Sequence, residues 1–270
     1  MAQSSTAGRR AALSAMAVSA LGLAVAGLGQ GAANAAVSAV KGSAFGYSGT
    51  FRFGGPSAAL QVFGPDPVVT LPPGGSATPV TATSANAVVQ IDAFGNPGPV
   101  IFSSGPLTVS TQGTTGATGS VTTTATINDI NQTKTEGFTA ASVSSTCTAS
   151  ESGVTGSTTV TGGFVETNQT AGTTAPVPVN PTPGFSIEGV NGAGATYRYT
   201  FNEQIVNPDG SLTVNAVHLR TLTGLLQGEL IIGQVVCGVT AVAGPTTTVA
   251  PTTTVAPTTT VAPTLSLIHI

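Results

Sequence analysis

The sequence predicts an all-β fold in the form of an antiparallel β-sandwich. Hydrophobic residues make up 40% of the 270 residues and are mostly small or β-branched, which favours strands over helices. Short runs of alternating apolar and polar residues recur along the chain, and turn-forming sequences separate them. We expect the chain to turn at Gly54-Gly55-Pro56, Gly64-Pro65-Asp66-Pro67, Pro72-Pro73-Gly74-Gly75, Asn96-Pro97-Gly98-Pro99 and Asn207-Pro208-Asp209-Gly210.

Residues 1–35 have the pattern of an export signal. Arg9-Arg10 form a short positive region, and Ala11–Leu28 is an apolar segment of mainly Ala, Val, Leu and Gly. The small residues that end at Ala35 predict cleavage between Ala35 and Ala36. A membrane anchor is the alternative, but the apolar segment is short and ends in a cleavage pattern. We therefore expect an N-terminal signal helix that directs the chain out of the cell.

Residues 36–243 are expected to form the sandwich, since about 200 residues suffice for one domain with a core. Within them, Asn86–Phe94 alternates, which predicts a strand with one apolar face formed by Val89, Ile91 and Ala93. The segment from Asn168 to Pro183 is rich in Pro and Thr, and it is expected to be a long loop.

The clearest hairpin joins Ala195–Ile205 to Ser211–Leu219. Asp209-Gly210 lies between them and supplies the positive φ that a tight hairpin turn requires. Alternation in the first strand predicts one face with Tyr197, Tyr199 and Phe201 and an opposite face with Arg198, Thr200 and Asn202.

Leu225–Gly244 is largely apolar and twenty residues long, so a membrane helix is an alternative to a strand. Glu229 would then lie inside the bilayer, at a cost of about 2.5–3.5 kcal/mol. Glycines also recur every four or five residues, which suits bent strands. The sequence therefore favours strand structure here.

Residues 244–264 carry three Pro-Thr-Thr-Thr-Val-Ala repeats that begin at Pro245. Regular proline prevents a helix and dense Thr gives nothing to bury, so we expect a disordered, extended Thr/Pro stalk. Roughly 20 residues at about 3.1 Å each would span about 60 Å. Residues 265–270 depart from this composition and can be back-translated into the end of a sequencing-library transposon. We interpret them as an adapter artefact, with the C-terminal anchor missing through truncation.

Charge and composition exclude several classes of function. The chain has 7 basic and 10 acidic residues, so a phosphate-binding surface for nucleic acid is not expected. With two His and two Cys, a zinc site is not expected either. Asn128-Asp129-Ile130-Asn131 offers oxygen atoms to calcium, but it lacks the Gly turn and closing Glu of an EF-hand. We therefore expect no metal and no cofactor.

Four segments resemble the actinobacterial "choice-of-anchor P" surface proteins. Leu212–Val239 is similar to the closing segment of that family, which has a strand with a Val-Asn-Ala-aliphatic-His motif, a Gly-Leu-rich connector and a strand that ends in Cys. Ser43–Gly46, Leu71–Gly75 and Ser145-Thr146-Cys147 resemble other family motifs. The resemblance covers roughly residues 40–240 and implies a surface domain whose relatives differ in how they are tethered. It implies no enzymatic activity.

Cys147 and Cys237 are the only cysteines in the sequence. An even pair in an exported chain predicts a disulfide. A reactive thiol is the alternative, but it would need a basic neighbour that neither local sequence offers.

His218 is the one histidine of the chain that we expect to keep after residues 265–270 are set aside. As a catalytic base it would need a nucleophile, and the sequence contains no Gly-x-Ser-x-Gly elbow. We expect a half-buried structural histidine on the strand face of Leu212, Val214 and Ala216. The ten carboxylates are scattered singly, so nothing in the sequence indicates the pair that a glycosidase needs.

Three classes of function stay open. The first is a non-enzymatic structural or adhesive domain, extracellular and associated with the cell surface or cell wall, with the wall or envelope as partner. The second is a module that binds a glycan or another ligand, for which Tyr197, Tyr199 and Phe201 are the candidate aromatic residues. The third is a secreted hydrolase, which the sequence favours least.

Overall fold

The computed structural model describes residues 36–55, 57–132 and 137–242, where all regular secondary structure is β-strand. The all-β class is thus confirmed, and none of these residues forms a helix that could cross a membrane. The predicted signal peptide (1–35), the stalk (244–264) and residues 265–270 lie outside the described residues. The strands are β1 (Ala36–Phe53), β2 (Gln61–Thr70), β3 (Ser76–Ser84), β4 (Ala87–Ala93), β5 (Asn96–Ser104), β6 (Leu107–Thr114), β7 (Ser120–Gln132), β8 (Phe138–Ser150), β9 (Gly153–Thr161), β10 (Phe164–Asn168), β11 (Thr173–Pro176), β12 (Phe185–Val190), β13 (Thr196–Val206), β14 (Leu212–Thr221) and β15 (Leu226–Val242).

The fifteen strands belong to one hydrogen-bonded sheet. Its first part runs in the order β2-β1-β15-β14-β13-β12, and its second part contains β3 to β9. β10 joins the two parts, since it is antiparallel to β8 and parallel to β12 through Asn168 and Val190. The strictly antiparallel sandwich predicted from the sequence therefore differs from the structure, because the sheet is continuous through β10 and mixed.

The core lies between the two parts of the sheet. β1 packs on β6 and β7, β15 packs on β7 and β8, and β14 packs on β8 and β9. Phe138 from the second part meets Tyr199 and Phe201 from the first, with ring centroids 5.3 and 5.4 Å apart. All three side chains have 0% exposure, and burial of each contributes about 1.5–3 kcal/mol.

Several predicted elements are confirmed. β4 (Ala87–Ala93) buries Val89 and Ile91 completely. β13 and β14 form the predicted hairpin, with Gly210 at φ 79° in its turn. β15 (Leu226–Val242) shows that the segment considered as a membrane helix is a strand.

Other predictions about chain breaks were wrong. Gly64-Pro65-Asp66-Pro67 lies inside β2, an edge strand in which proline is tolerated. Asn96-Pro97-Gly98-Pro99 begins β5, because the hairpin turns two residues earlier, at Phe94-Gly95. The predicted long loop from Asn168 to Pro183 contains β11, which pairs with β10.

A row of irregular residues crosses four neighbouring strands. In each of these strands one residue is left out between regular pairs. The residues are Gly46 on β1, Gly233 on β15, Ala216 on β14 and Asn202 on β13. Asn202 and Gly233 have positive φ, at 51° and 67°. We call these four residues the bulge row. Both strands of each pair skip a residue at the same place, so the register between neighbouring strands is unchanged. Along each strand, however, the alternation of inward and outward side chains shifts by one position.

The bulge row decides which way the side chains of β14 point. Val214 is buried in the core before the row and Val217 after it, so strict alternation fails between them. His218 consequently points to the outer face, where its ring meets charged side chains. The prediction that it shares a face with Leu212, Val214 and Ala216 was therefore wrong.

The same row turns Asn202 inward, although alternation predicts that it lies opposite Phe201. Its Nδ2 donates to the carbonyl oxygen of Pro181 at 2.9 Å, and its Oδ1 accepts from the Thr158 hydroxyl at 3.4 Å. Asn202 is 4% exposed, so these bonds satisfy an amide that would otherwise be buried without partners.

Candidate functional site

Six polar side chains meet on the outer face of three adjacent strands. The register places Glu203, Asn215 and Gln234 side by side on β13, β14 and β15, and it places Arg220 opposite Glu229. We call this group the His218 cluster, and its members are Glu203, Asn215, His218, Arg220, Glu229 and Gln234.

The His218 ring is the centre of this cluster and is 4% exposed. Its Nδ1 lies 2.7 Å from Glu203 Oε2 and its Nε2 lies 3.2 Å from Glu229 Oε2. Arg220 Nε donates to the same Nε2 at 3.2 Å. Nε2 can accept from Arg220 only when it is deprotonated, and it can donate to Glu229 only when it is protonated. The ring therefore has a partner on each nitrogen in both of its charge states.

Glu203 is held as a carboxylate. Partial burial raises the pKa of the Glu203 carboxyl, but hydrogen bonds from Asn215 Nδ2, at 2.7 Å, and from His218 lower it, and so does the charge of Arg220. The net pKa lies below its ordinary value, because the bonds favour the charged form more than burial opposes it. Gln234 in turn donates to Asn215 Oδ1 at 2.8 Å, which fixes the orientation of the Asn215 amide.

The contacts of the cluster among the described residues are hydrogen bonds and ion pairs between neighbouring strands. Both ring nitrogens of His218 are occupied by neighbours, and within residues 36–55, 57–132 and 137–242 no hydroxyl group is hydrogen-bonded to the ring. In that part of the chain, no three His, Cys, Asp or Glu side chains are arranged so that they could hold a metal ion together. What the geometry provides is a bonded network that ties together three strands.

The pairing of Glu203 and Glu229 around one histidine was missed in the sequence. These carboxylates lie 26 positions apart, and they meet because β13 and β15 flank β14. Hairpin register alone could have placed Arg220 opposite Glu229, since both lie near the β14–β15 turn. The contact of His218 with Glu203 depends on the bulge row. The sequence of β14 gives no sign of this row, because its apolar and polar residues do not show where the alternation shifts.

Cys147 and Cys237 lie at disulfide distance, with their Cα atoms 5.7 Å apart. Both residues are completely buried. Cys147 lies on β8 and Cys237 on β15, so the pair connects the two parts of the sheet through the core.

The aromatic residues considered as a ligand platform are not on the surface. Tyr197, Tyr199 and Phe201 are 1%, 0% and 0% exposed, so they are core residues, and the ligand-binding interpretation of their strand was wrong. The two strongly exposed aromatic side chains of the described residues are Phe94, at 78%, and Phe164, at 47%.

Two open clefts lie at the end of the domain where β1 finishes and β15 begins. The first has a volume of about 410 Å³ and the second about 530 Å³. Phe53 belongs to both, so the clefts meet at this side chain. The first cleft continues along Leu225 and Asn191, and the second continues along Phe94 and Asp92. We call them together the twin cleft.

The residues considered for calcium belong to a strand. Asn128–Asn131 lies within β7, where Asp129 has φ 50° and is left out of the regular pairs with β8. The Asn128 amide donates to the carbonyl oxygen of Pro106 at 3.2 Å, and so it serves the local backbone. Asp209 also has a structural role, since its carboxylate accepts from the Ser211 amide and hydroxyl in the β13–β14 turn.

Comparison of the chain with protein-family models, with curated proteins and with solved structures finds no match. The resemblance to the "choice-of-anchor P" surface proteins thus stays a prediction from the sequence motifs given above.

Proposed function

We propose that this protein is an exported, non-enzymatic domain with a structural or adhesive function, held off the cell wall by its Thr/Pro stalk. The observation that carries the proposal is the position of the domain's two ends. Ala36 and Val242 are paired residues at the same end of β1 and β15. A stalk that follows Val242 therefore leaves from the end at which the exported chain begins, and the opposite end would be presented outward.

The length of the two strands gives the size of this separation. Phe53 pairs with Leu226 at the far end of the β1–β15 ladder. β15 has 17 residues, which at about 3.3 Å each corresponds to roughly 55 Å along the strand. The twin cleft lies at that far end. A stalk attached after Val242 would thus hold the cleft at the outermost point of the domain.

The position of the cysteine pair supports a function under mechanical tension. Cys237 lies five residues before Val242 on the strand that leads into the stalk. A disulfide to Cys147 would transmit a tensile force on the stalk to β8, which belongs to the other part of the sheet. Because it closes a separation of 90 residues, it would also contribute about 4–5 kcal/mol through the entropy of the unfolded chain.

Cell fractionation tests the proposed location. We expect the protein, produced from its own gene in its host, to appear in the wall or envelope fraction and to be cleaved by protease added to intact cells. A variant without residues 1–35 should stay inside the cell and be protected from the protease. Recovery of the complete protein in the cytoplasm would contradict the proposal.

The non-enzymatic part of the proposal has its own test. The purified protein should not hydrolyse chromogenic ester, peptide or glycoside substrates above the rate of a blank. If a hydrolytic activity were present, and if His218→Ala abolished it while the circular dichroism spectrum stayed unchanged, the domain would be an enzyme and the proposal would be wrong.

A further inference from the structure

We propose that the twin cleft binds a neutral glycan chain. This inference rests on the proposed adhesive function and names the class of molecule that the outer end of the domain would hold. The cleft volumes of about 410 and 530 Å³ lie within the range of about 300–1,000 Å³ that is usual for small-molecule sites. Since the two clefts meet at Phe53, the shape fits an extended ligand better than a compact one.

The exposed aromatic residue of the cleft is held in an unfavourable backbone conformation. Phe94 and Gly95 form the two-residue turn between β4 and β5, with φ of 53° and 81°. Such turns strongly prefer Asn, Asp or Gly at the first position, because other side chains are strained at positive φ. The fold gains little in return, since the Phe94 side chain is 78% exposed. Strain of this kind at an exposed position points to a functional use of the side chain.

The neighbours of Phe94 hold it in place. Its ring meets Phe53 edge to face, with centroids 5.6 Å apart. The Gln61 side chain donates to the carbonyl oxygen of Asp92 at 2.9 Å and accepts from the Asp92 amide at 2.7 Å. These bonds tie the β4–β5 hairpin to the start of β2. The aromatic platform is therefore fixed before any ligand arrives, which lowers the entropy cost of binding.

The polar groups of the cleft favour an uncharged ligand with hydroxyl groups. Asp92 is the one ionisable residue among the described residues that line the twin cleft. No described residue donates to its carboxylate, so both oxygens are open to hydroxyl donors. Asn191 and Gln169 lie on the other side of Phe53, where their side-chain oxygens accept from backbone N–H groups and fix the loop that lines the cleft. Sugars combine apolar C–H faces, which pack on aromatic rings, with hydroxyls that bond carboxylates and amides.

An apolar peptide and a second copy of this chain are the competing occupants. Either would be expected to cover exposed apolar side chains mainly with its own apolar side chains, whereas a glycan presents several hydroxyl donors to the open carboxylate of Asp92. A polyanionic glycan is disfavoured because the lining carries a carboxylate and no cation. The open shape, the aromatic pair and the lone carboxylate together favour the neutral glycan.

Affinity electrophoresis of the purified protein tests this inference. The probes are laminarin, yeast mannan and xylan as neutral polysaccharides, with heparin as the charged comparison. We expect at least one neutral polysaccharide to retard the protein and heparin to have no effect. Retardation by heparin alone, or by none of the probes, would overturn the inference.

Variants then locate the site. Phe94→Asn should weaken the binding at least tenfold while the thermal midpoint of unfolding stays equal or rises, since Asn-Gly is a favoured turn sequence. Asp92→Asn should weaken it at least fivefold. Phe164→Ala is the matched control, because Phe164 is an exposed aromatic residue outside the cleft, and it should bind normally.

Binding that is unchanged in Phe94→Asn and Asp92→Asn would place the glycan elsewhere and overturn the assignment. Light scattering and a panel of apolar peptides complete the test: self-association or peptide binding that Phe94→Asn abolishes, without polysaccharide binding, would identify a competing occupant. The fractionation test is independent of these results, since Phe94→Asn should reach the same cell fraction as the natural protein. Failure of the glycan site and failure of the proposed location can thus be told apart.

Discussion

Replacement of His218 by alanine should destabilise the domain, because the ring is the central member of the His218 cluster. The ring is 4% exposed and is bonded to carboxylates through both nitrogens. A hydrogen bond to a charged group contributes about 1.5–3 kcal/mol. The bond to Glu203 is the shorter one, and its carboxylate has a side-chain exposure of 21%. The carboxylate of Glu229 is 49% exposed, so water replaces that bond with little loss.

We therefore expect His218→Ala to lower the free energy of unfolding by about 2–3 kcal/mol at pH 7, mainly through the lost bond to Glu203. Urea unfolding followed by far-UV circular dichroism measures this change, since the chain has no Trp for fluorescence. Arg198→Ala is the matched control. Its ion pair with Glu188 lies on a neighbouring strand pair and is exposed, so its loss should cost less than about 1 kcal/mol.

The pH dependence gives a second readout of the same cluster. The pKa of Glu203 is lowered in the folded protein, so the unfolded chain binds the proton more readily. The stability that this carboxylate contributes is present above the ordinary Glu pKa of about 4.3 and is lost as the pH falls through the lower folded value. His218→Ala removes one of the bonds that lower this pKa, so its stability should fall less steeply with acid than that of the natural protein.

The reasoning would be refuted if His218→Ala unfolded at the same urea concentration as Arg198→Ala at pH 7. It would also be refuted if the two variants lost stability equally between pH 5 and pH 3. Either result would mean that the cluster is arranged on the outer face without contributing to the fold.

Three further outcomes are expected. Thiol titration of the denatured, unreduced protein should give nearly zero, and a count near two per chain would show that Cys147 and Cys237 are not bonded. Phe201→Ala should cost about 3–5 kcal/mol in urea unfolding, whereas Phe94→Ala should cost less than about 1 kcal/mol, because the first ring is fully buried and the second is 78% exposed. Gly233→Ala should cost about 1–2 kcal/mol, since Gly233 has φ 67°, and a neutral result would show that the bulge row tolerates ordinary residues.

Local sequence determined several of the strands and the β13–β14 turn. The alternation of Ala195–Ile205 correctly placed Tyr197, Tyr199 and Phe201 on one face, because side chains of a strand point alternately to its two faces. Asp209-Gly210 fixed the hairpin because Gly210 can adopt positive φ. The charge of Glu229 indicated correctly that β15 is a strand.

The tertiary structure decided the features that depend on residues far apart in the chain. Alternation has a period of two, and it cannot reveal where a strand skips a residue, so the outward position of His218 was predicted wrongly. The skipped residues line up across four strands, and their positions follow from the pairing of the whole sheet. The meeting of Glu203 with His218 depends on that row.

The exposure of Phe94 depends on a turn that lies two residues before the expected proline-containing one, because β5 can begin at Asn96 once it pairs with β4. Period and turn chemistry are properties of a few neighbouring residues, whereas register and burial are set by the free energy of packing the entire sheet.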